Sequence, residues 1–189
     1  MFVLYYSGMN PNILQMTGLD YQNDSILSVA CFVTDHDLNL LDEKGYEATI
    51  HHDKEVLDQM GEWCTKHHGS SGLTQAAIDS TTTAEQAADE LLQYVKTWAP
   101  ESRRALLAGN TVHADQAFLR KPPYDRVLKH LHHRILDVSA IKEAARRWAS
   151  EEDLKGSPQK KGLHEARADI LESIEEAKYY RDTFFRRKS

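Results

Sequence analysis

Apolar residues at strand spacing occur in four stretches of the chain. Residues 26–34 (ILSVACFVT) form a nearly continuous apolar run rich in β-branched side chains, which indicates a buried strand. Residues 45–51 alternate between apolar and polar positions, and they predict a neighbouring strand that follows a turn at 35–39. Residues 105–108 and 134–136 are two further short strand candidates.

Between these strands, apolar residues recur every three or four positions, which is the spacing of a helix with one buried face. The clearest case is 83–98, where Thr83 is a candidate N-cap and Gln86 follows three residues later, as in a capping box. The same spacing predicts helices at 53–68, 73–78, 115–120, 124–132, 138–148 and 163–185, whereas the polar stretch 150–162 predicts a mobile loop. Strands interleaved with helices predict an α/β sandwich with a mixed central sheet.

Composition narrows the class of protein without identifying it. The 189 residues suit one domain of ordinary size, and the two cysteines, Cys31 and Cys64, favour a reducing compartment over a disulfide framework. No apolar run reaches the length of a transmembrane helix, and the start lacks the pattern of a signal peptide. The net charge of −6 argues against binding of a long nucleic-acid backbone, but it leaves a very short nucleic acid open.

Three short motifs carry candidate chemistry. His164 and Asp169 lie near the start of the last predicted helix, about 140° apart around its axis, and both can reach one pocket at the helix end. A histidine there can take a proton from a metal-bound water, because its pKa ordinarily lies near neutrality. Asp115 follows a predicted buried strand, at the edge where α/β sheets bind ligands. The glycine of MTGLD at 16–20 suits a close backbone approach to a ligand.

Each motif taken alone also has an ordinary structural explanation. His164 can be a solvated side chain, and Asp169 can be a surface residue of its helix. Asp115 can stabilise a helix N-terminus through the helix dipole, and MTGLD can be a plain turn between strands. The functional interpretation therefore depends on the motifs occurring together and in order.

Together and in order, five segments resemble the oligoribonuclease family of DEDDh exonucleases, above all its eukaryotic and fungal members. The segments are MTGLD at 16–20, EWCTKHHGSSGL at 62–73, LAGNTVHADQAFL at 107–119, HHRILDVSAIKEAARRW at 132–148 and HEARADILESIEEAKYYR at 164–181. The resemblance implies an RNase H-like three-layer sandwich with a mixed central sheet, formed by a single exonuclease domain over residues 1–189. It also implies a 3′-to-5′ exoribonuclease that degrades short single-stranded RNA with two bound Mg²⁺ or Mn²⁺ ions.

The family's functional residues carry over to the positions that match its motifs. Asp115 and Asp169 match two of the four metal-binding carboxylates, and His164 matches the general base. The positions that match substrate contacts are Leu19 as a wedge between two bases, Trp63 as a stacking aromatic, His68, and Thr111, Arg134 and Ser139 as a polar cap that reads the terminal phosphate and keeps substrates short. Trp63 can alternatively be a core residue, and Arg134 a surface ion pair of little energetic weight.

The resemblance also implies a homodimer. In the family, the arginine that matches Arg134 reaches the active site from the partner subunit. His133 stands where the family usually has a tyrosine that stacks on the substrate from that same subunit. An imidazole can still stack, although over a smaller area than a phenol ring.

The resemblance stops at the first metal-binding motif. The family reads D-x-E immediately before MTGLD, whereas this chain has Ile13 and Gln15 at those two positions. Isoleucine has no ligand atom, and glutamine offers a neutral oxygen that replaces a carboxylate poorly on a hard cation. We therefore expect two-metal binding to be weakened and hydrolysis to be largely lost.

Apart from His133, the departure from the family lies in residues 1–15, a divergent N-terminal segment. Gradual loss of activity would scatter substitutions through the site, whereas here everything after Gln15 matches. This pattern favours replacement of a whole segment, by an alternative first exon, a retained intron or a mis-assigned start. Residues 1–6 (MFVLYY) can still pair as a first strand.

Three functions are therefore open from the sequence. The chain is a 3′-to-5′ exoribonuclease, a pseudo-exonuclease that binds short RNA, or an inactive partner that dimerises with an active paralogue. The expected location is cytoplasmic or mitochondrial, and no membrane association is expected.

Overall fold

The described part of the chain alternates strands and helices. The computed structural model describes residues 2–4, 14–158 and 166–185. The strands are β1 (Phe2–Leu4), β2 (Leu14–Met16), β3 (Ile26–Thr34), β4 (Tyr46–Thr49), β5 (Leu106–Gly109) and β6 (Ile135–Asp137). The helices are α1 (Lys54–Leu57), α2 (Glu62–Ser70), α3 (Leu73–Asp79), α4 (Ala84–Trp98), α5 (Val112–Leu119), α6 (Asp125–His130), α7 (Val138–Trp148), α8 (Glu151–Lys155) and α9 (Ala166–Tyr180), which continues into a π-helical turn at Arg181–Phe185. No helix within these ranges is long and apolar enough to cross a bilayer.

Strand β3 lies at the centre of the core and has the bounds predicted from its apolar run. Val29, Cys31 and Val33 belong to an apolar cluster with residues of α4, α5 and α6. Ala30 and Phe32 belong to a second cluster, with residues of α7 and α9. Because successive side chains of a strand point to opposite faces, helices cover both faces of the sheet and give three layers.

The six strands form one mixed sheet. β5 pairs in parallel with β1 and with β6, whereas β3 pairs antiparallel with β1, β2 and β4. The predicted α/β sandwich with a mixed central sheet is therefore confirmed. The parallel pair β5 and β6 places the carboxyl ends of both strands at the same edge of the sheet, the edge at which open α/β sheets bind ligands.

The first two strands share one edge of β3. Ser28 and Val29 pair with both β2 and β4, so β2 and β4 lie on opposite edges of β3. Leu40 continues the β4 edge through its bridge to Thr34, which leaves the other edge for β1. The apolar start of the chain therefore supplies a strand next to β5, as its composition predicts, and β2 follows it towards the carboxyl end of β5.

The pairing of β1 and β2 with β3 shows where the divergent N-terminal segment has extra residues. Leu4 pairs with Phe32 and Leu14 with Val29, so only two residues of β3 separate the two pairs. Nine residues of the chain, 5–13, separate Leu4 from Leu14 in sequence. The chain thus has seven residues more than the ladder has positions, and they fall between Leu4 and Leu14.

The predicted helix at 53–68 is wrong as a single element. α1 ends at Leu57 and α2 begins at Glu62, because Gly61 adopts an extended backbone conformation with ψ of 157°. The apolar residues that suggested one helix do not form one buried stripe, since Val56 and Trp63 are both exposed.

The predicted loop at 150–162 is also wrong in part. Residues Glu151–Lys155 form α8, because the Ser150 side chain accepts a hydrogen bond from the backbone N–H of Asp153 and caps the helix. The end of that stretch, from 159 onwards, lies outside the described residues. By contrast, α4 has the predicted bounds and both hydrogen bonds of the capping box between Thr83 and Gln86.

Candidate active site

A pair of hydroxyl groups lies where β5 and β6 end. Asp137, the last residue of β6, accepts hydrogen bonds at Oδ1 from the backbone N–H groups of Thr111 (2.9 Å) and Ser139 (3.0 Å). The hydroxyl oxygens of Thr111 and Ser139 are 3.2 Å apart. Thr111 takes the left-handed backbone conformation (φ 53°) and serves as the N-cap of α5, which therefore begins earlier than predicted. We call Thr111 and Ser139 the hydroxyl cap, and the structure brings these two sequence-predicted residues together.

Two buried carboxylates flank the same edge of the sheet. Asp115 lies in the first turn of α5 and Asp169 in the first turn of α9, and they are 0% and 2% exposed. A surface position for Asp169 is therefore wrong. Asn110, the residue after β5, donates to Ser173 Oγ (2.9 Å), one helical turn after Asp169. Carboxylate oxygens are the ligands that hard divalent cations prefer, so both residue types suit metal binding.

A buried polar network holds this edge together. Glu176, 2% exposed, accepts hydrogen bonds from Asn110 Nδ2 (3.1 Å) and the Tyr180 hydroxyl (2.9 Å), and its Oε1 forms an ion pair with Lys142 Nζ (2.9 Å). Burial alone would raise the pKa of Glu176, but the hydrogen bonds from Lys142 and Asn110 outweigh it, and the pKa is lowered. The carboxylate is therefore charged at neutral pH. We call these four residues the Glu176 network, and it joins the end of β5 to α7 and α9.

The donors for a divalent ion form an incomplete set. Asp115 and Asp169 provide hard carboxylate oxygens, and Gln15 in β2 provides a neutral amide oxygen. Across residues 2–4, 14–158 and 166–185, no three His, Cys, Asp or Glu side chains are grouped so as to hold a metal ion. Two carboxylates balance only half of the charge of two Mg²⁺ ions. These residues therefore do not fit a complete two-metal centre.

The loop between β2 and β3 presents an apolar side chain to solvent. Leu19 is 64% exposed at its tip. The Asp24 carboxylate accepts hydrogen bonds from the Thr17 hydroxyl and from the backbone N–H of Asp20, both at 2.8 Å. Lys121 Nζ, at the end of α5, donates to the Asp24 carbonyl oxygen at 3.3 Å. We call residues 17–25 the Leu19 loop. These contacts hold the loop in one conformation, in which the Leu19 side chain faces solvent.

We expect Gly18→Ala to destabilise the Leu19 loop. A Cβ atom at Gly18 would lie 2.7 Å from Asp24 Cγ, and the hydrogen bonds of Asp24 hold that carboxylate in place. The free energy of unfolding should fall by about 1–3 kcal/mol, the usual cost of overpacking, as measured by urea denaturation. Gly61→Ala is the matched control, because a Cβ there meets nothing within 4 Å. Equal losses in the two variants would contradict the prediction.

Trp63 and His68 lie on α2 beside the Leu19 loop. Trp63 is 45% exposed, so the alternative of a core residue is wrong, and its indole stacks on His67 with ring centroids 3.9 Å apart. His68 is buried and its Nε2 lies 3.0 Å from the Met16 carbonyl oxygen, so Nε2 carries the proton and donates. Burial lowers the pKa of His68, although that hydrogen bond opposes the shift. The imidazole is therefore neutral at pH 7 and ties α2 to β2.

Arg134 and His133 lie away from the hydroxyl cap of their own chain. Both are exposed and precede β6, whereas the cap follows its other end, about 10 Å further along the strand. Arg134 lines a cleft of about 640 Å³ together with Arg103, Arg104 and His132. The rings of His132 and His133 stack with centroids 4.3 Å apart. The structure does not bring Arg134 and His133 to the site within one chain, and their supply by a partner subunit stays a prediction.

Some site residues lie beyond the described ranges, and others were missed in the sequence. His164 and Ile13 lie outside the described residues, so their placement stays a prediction. The sequence analysis missed Asp24, Asp137 and His113, which hold the Leu19 loop and the hydroxyl cap. Asp137 could have been predicted from the sequence as the N-cap of α7, because aspartate is a preferred residue immediately before a helix.

Comparison with known proteins identifies the family of this chain. A family model described as Exonuclease matches residues 15–177. The chain is 47% identical over 176 residues to the mitochondrial oligoribonuclease of Mus musculus, covering 93% of this chain and 73% of that protein. It is 40% identical over 178 residues to the mitochondrial oligoribonuclease of Saccharomyces cerevisiae, covering 91% and 65% respectively.

A solved structure adds support for the fold. An exonuclease I from Methylocaldum szegediense superposes with a TM-score of 0.64 at 15% identity, covering 97% of this chain and 41% of that one. The family model and the shared fold place the chain in the class of exonucleases. Within that class, the chain belongs to the oligoribonuclease family.

Proposed function

We propose that this chain is a 3′-to-5′ exoribonuclease acting on di- to short oligoribonucleotides, with hydrolysis weakened by Ile13 and Gln15. Membership of the oligoribonuclease family carries the proposal. In it, residues 1–189 act as one exonuclease domain, Leu19 separates two bases, Trp63 stacks on one of them, and the hydroxyl cap holds the terminal phosphate.

Contacts within the chain hold the proposed substrate-binding residues in place. The exposed indole of Trp63 is backed by His67, and His68 joins its helix to the strand that leads into the Leu19 loop. The hydroxyl cap is held by Asp137 at the opposite side of the same sheet edge. In this proposal the substrate lies between the Leu19 loop and the hydroxyl cap, and the acidic net charge of the chain favours a very short nucleic acid over a long one.

In this proposal Asp115 and Asp169 would hold Mg²⁺ or Mn²⁺, which would supply Lewis-acid chemistry for phosphodiester hydrolysis, and His164 would be the general base. The remaining carboxylates are too few for two ions at full affinity, which is why we propose a weakened reaction. A second candidate function follows from this single feature: a pseudo-exonuclease that binds short RNA without cleaving it.

We further propose a homodimer in which Arg134 and His133 serve the hydroxyl cap of the partner. Their position at the other end of β6, about 10 Å along the strand from the cap of their own chain, supports this. A chain that lends Arg134 to an active paralogue is the third possibility open from the sequence. A mitochondrial location is favoured over a cytoplasmic one by the mitochondrial relatives.

Turnover and binding of an RNA dinucleotide separate these functions. Purified protein is incubated with a labelled dinucleotide in Mg²⁺ and then in Mn²⁺, and products are separated by chromatography. Turnover that disappears with His164→Ala supports the exoribonuclease. Saturable binding without turnover supports the pseudo-exonuclease, whereas the absence of both, with a stable complex formed with a paralogue, supports the inactive partner.

We expect Trp63→Ala to weaken dinucleotide binding by about 5- to 150-fold, because stacking on an aromatic ring contributes about 1–3 kcal/mol per base. The dissociation constant is measured by isothermal titration. Trp148→Ala is the matched control, since Trp148 is 82% exposed on α7 and has no proposed contact with substrate. Unchanged affinity in Trp63→Ala, or an equal loss in Trp148→Ala, would rule out the stacking role.

A further inference from the structure

Lys121 connects the end of α5 to the Leu19 loop. Its Nζ donates hydrogen bonds to the carbonyl oxygens of Gln22 (3.2 Å) and Asp24 (3.3 Å), both of which belong to that loop. Among the described residues, no other side chain from outside residues 17–25 forms a hydrogen bond with the loop. The ammonium group therefore provides the polar connection between the loop and the neighbouring helix.

The backbone on either side of Lys121 is itself held in place. Its N–H donates to the carbonyl oxygen of Phe118, and its carbonyl oxygen accepts from the N–H of Asp125, both at 3.1 Å. Phe118 and Leu119, the last two residues of α5, are buried in the larger apolar cluster. The Lys121 side chain thus extends from a fixed part of the molecule to a loop, and loops are generally the more mobile elements of a fold.

The Leu19 loop keeps its own shape but is not closely packed against α5. The hydrogen bonds of the Asp24 carboxylate hold the loop together internally. A cavity of about 130 Å³ lies at its base, and the residues that line it include Asp24 and Ser25 of the loop together with Phe118 and Lys121. Because groups separated by a cavity lose their packing contacts, packing alone does not fix the orientation of the loop here. The hydrogen bonds of Lys121 supply that constraint.

We propose that Lys121 is a positioning residue that fixes the orientation of the Leu19 loop, and therefore of the Leu19 side chain, relative to α5. The inference rests on the proposed function, in which Leu19 separates two bases of a bound RNA dinucleotide. α5 begins next to Thr111 of the hydroxyl cap and ends two residues before Lys121, so one helix joins the cap to the residue that holds the loop. Lys121 acts on RNA affinity through Leu19 and does not itself contact the RNA.

A double-mutant cycle separates this role from a general loss of structure. The full chain is titrated in Mg²⁺ with a phosphorothioate-linked RNA dinucleotide, which resists hydrolysis, and the dissociation constant is measured by isothermal titration. We expect Lys121→Met to raise the dissociation constant by about 10-fold, because loss of hydrogen bonds from a charged group lowers the fraction of chains whose loop is oriented for binding. In a Leu19→Ala chain, which lacks the wedge, the same substitution should change it by less than about 2-fold.

Two further lysine variants control for charge and for folding. Lys121→Arg keeps the charge and the hydrogen-bond donors, so its dissociation constant should stay within about 3-fold of the wild-type value. Lys129→Met removes a lysine of the neighbouring α6 that pairs with Asp125 at 2.6 Å, and it should leave the dissociation constant unchanged. Urea denaturation checks that each variant is folded under the conditions of the titration, and Lys121→Gln replaces Lys121→Met in the cycle if the latter does not fold.

The possible outcomes separate this inference from the proposed function. Unchanged affinity in Lys121→Met, or an equal loss with and without Leu19, overturns the inference while RNA binding stands. Wild-type affinity in Leu19→Ala also overturns it, because there is then no wedge to position. If neither Lys121→Met nor Lys121→Gln folds, Lys121 stabilises the whole domain and the inference is overturned. A wild-type chain that does not bind the dinucleotide refutes the proposed function, and the inference fails with it.

Discussion

Replacing Ile13 by Asp and Gln15 by Glu in the same chain is expected to raise dinucleotide hydrolysis in Mg²⁺ by roughly 10²- to 10³-fold. The two substitutions add the missing carboxylates to Asp115 and Asp169 and bring the negative charge to four. Metal ions clamped in this way contribute several kcal/mol of transition-state stabilisation, which sets the expected scale.

The location of β2 supports this expectation. Gln15 pairs with Ser28 and lies on the edge of β3 that β1 also occupies, towards the carboxyl end of β5. That end of β5 leads into Asn110, whose contact with Ser173 brings α9 and its buried Asp169 to the same place. A glutamate at position 15 would therefore enter a region that already holds buried acidic groups.

The measurement is the initial rate of dinucleotide cleavage, in parallel with Mg²⁺ binding by titration calorimetry. Adding Asp169→Asn to the double variant should return both the rate and the Mg²⁺ affinity to the wild-type level or below. A wild-type chain that already cleaves quickly, with no gain from the two carboxylates, would show that metal binding does not need a D-x-E motif here.

The sequence was informative wherever one physical pattern dominates locally. The continuous apolar run of β3 predicted a strand buried on both faces, and its two sets of side chains do enter separate clusters. The capping box at Thr83 located the start of α4. In both cases the sequence pattern itself is confined to a few neighbouring residues.

Where the sequence failed, the determining contacts are distant or depend on exposure. Val56 and Trp63 have helical spacing with buried neighbours, but both face solvent, so nothing held one helix across Gly61. Asp24 was overlooked because its role depends on hydrogen bonds to Thr17 and Asp20 that only the folded loop creates. The seven extra residues between β1 and β2 can be recognised only from the register in which both strands pair with β3.

Lys142→Met is expected to be the most destabilising single substitution in the Glu176 network. The Glu176 side chain is 2% exposed, and Lys142 is its ion-pair partner. Removing one partner leaves a buried charge without compensation, which typically costs about 3–5 kcal/mol, and we expect roughly 3 kcal/mol here because Lys142 itself is 31% exposed. The free energy of unfolding is measured by urea denaturation at pH 7.

Lys178→Met is a close control for this experiment. Lys178 has the same exposed fraction, 31%, and pairs with Glu175 at 2.7 Å, but Glu175 is 60% exposed. Ion pairs on the surface contribute about 0–1 kcal/mol, so the control should lose little stability. Losses of similar size in the two variants would mean that burial of Glu176 is not the cause.

The pH dependence of the free energy of unfolding gives a second, independent readout. Because the pKa of Glu176 is lower in the folded protein than in the unfolded chain, its stabilisation is complete above the unfolded pKa of about 4.3 and is lost as the pH falls through the folded pKa. Lys142→Met removes the principal hydrogen bond that lowers this pKa, so the free energy of unfolding of the variant should change less over that acidic range. Since Asn110 binds the same carboxylate and is followed by Thr111, the variant should also bind the RNA dinucleotide more weakly, which would connect a buried ion pair to the geometry of the hydroxyl cap.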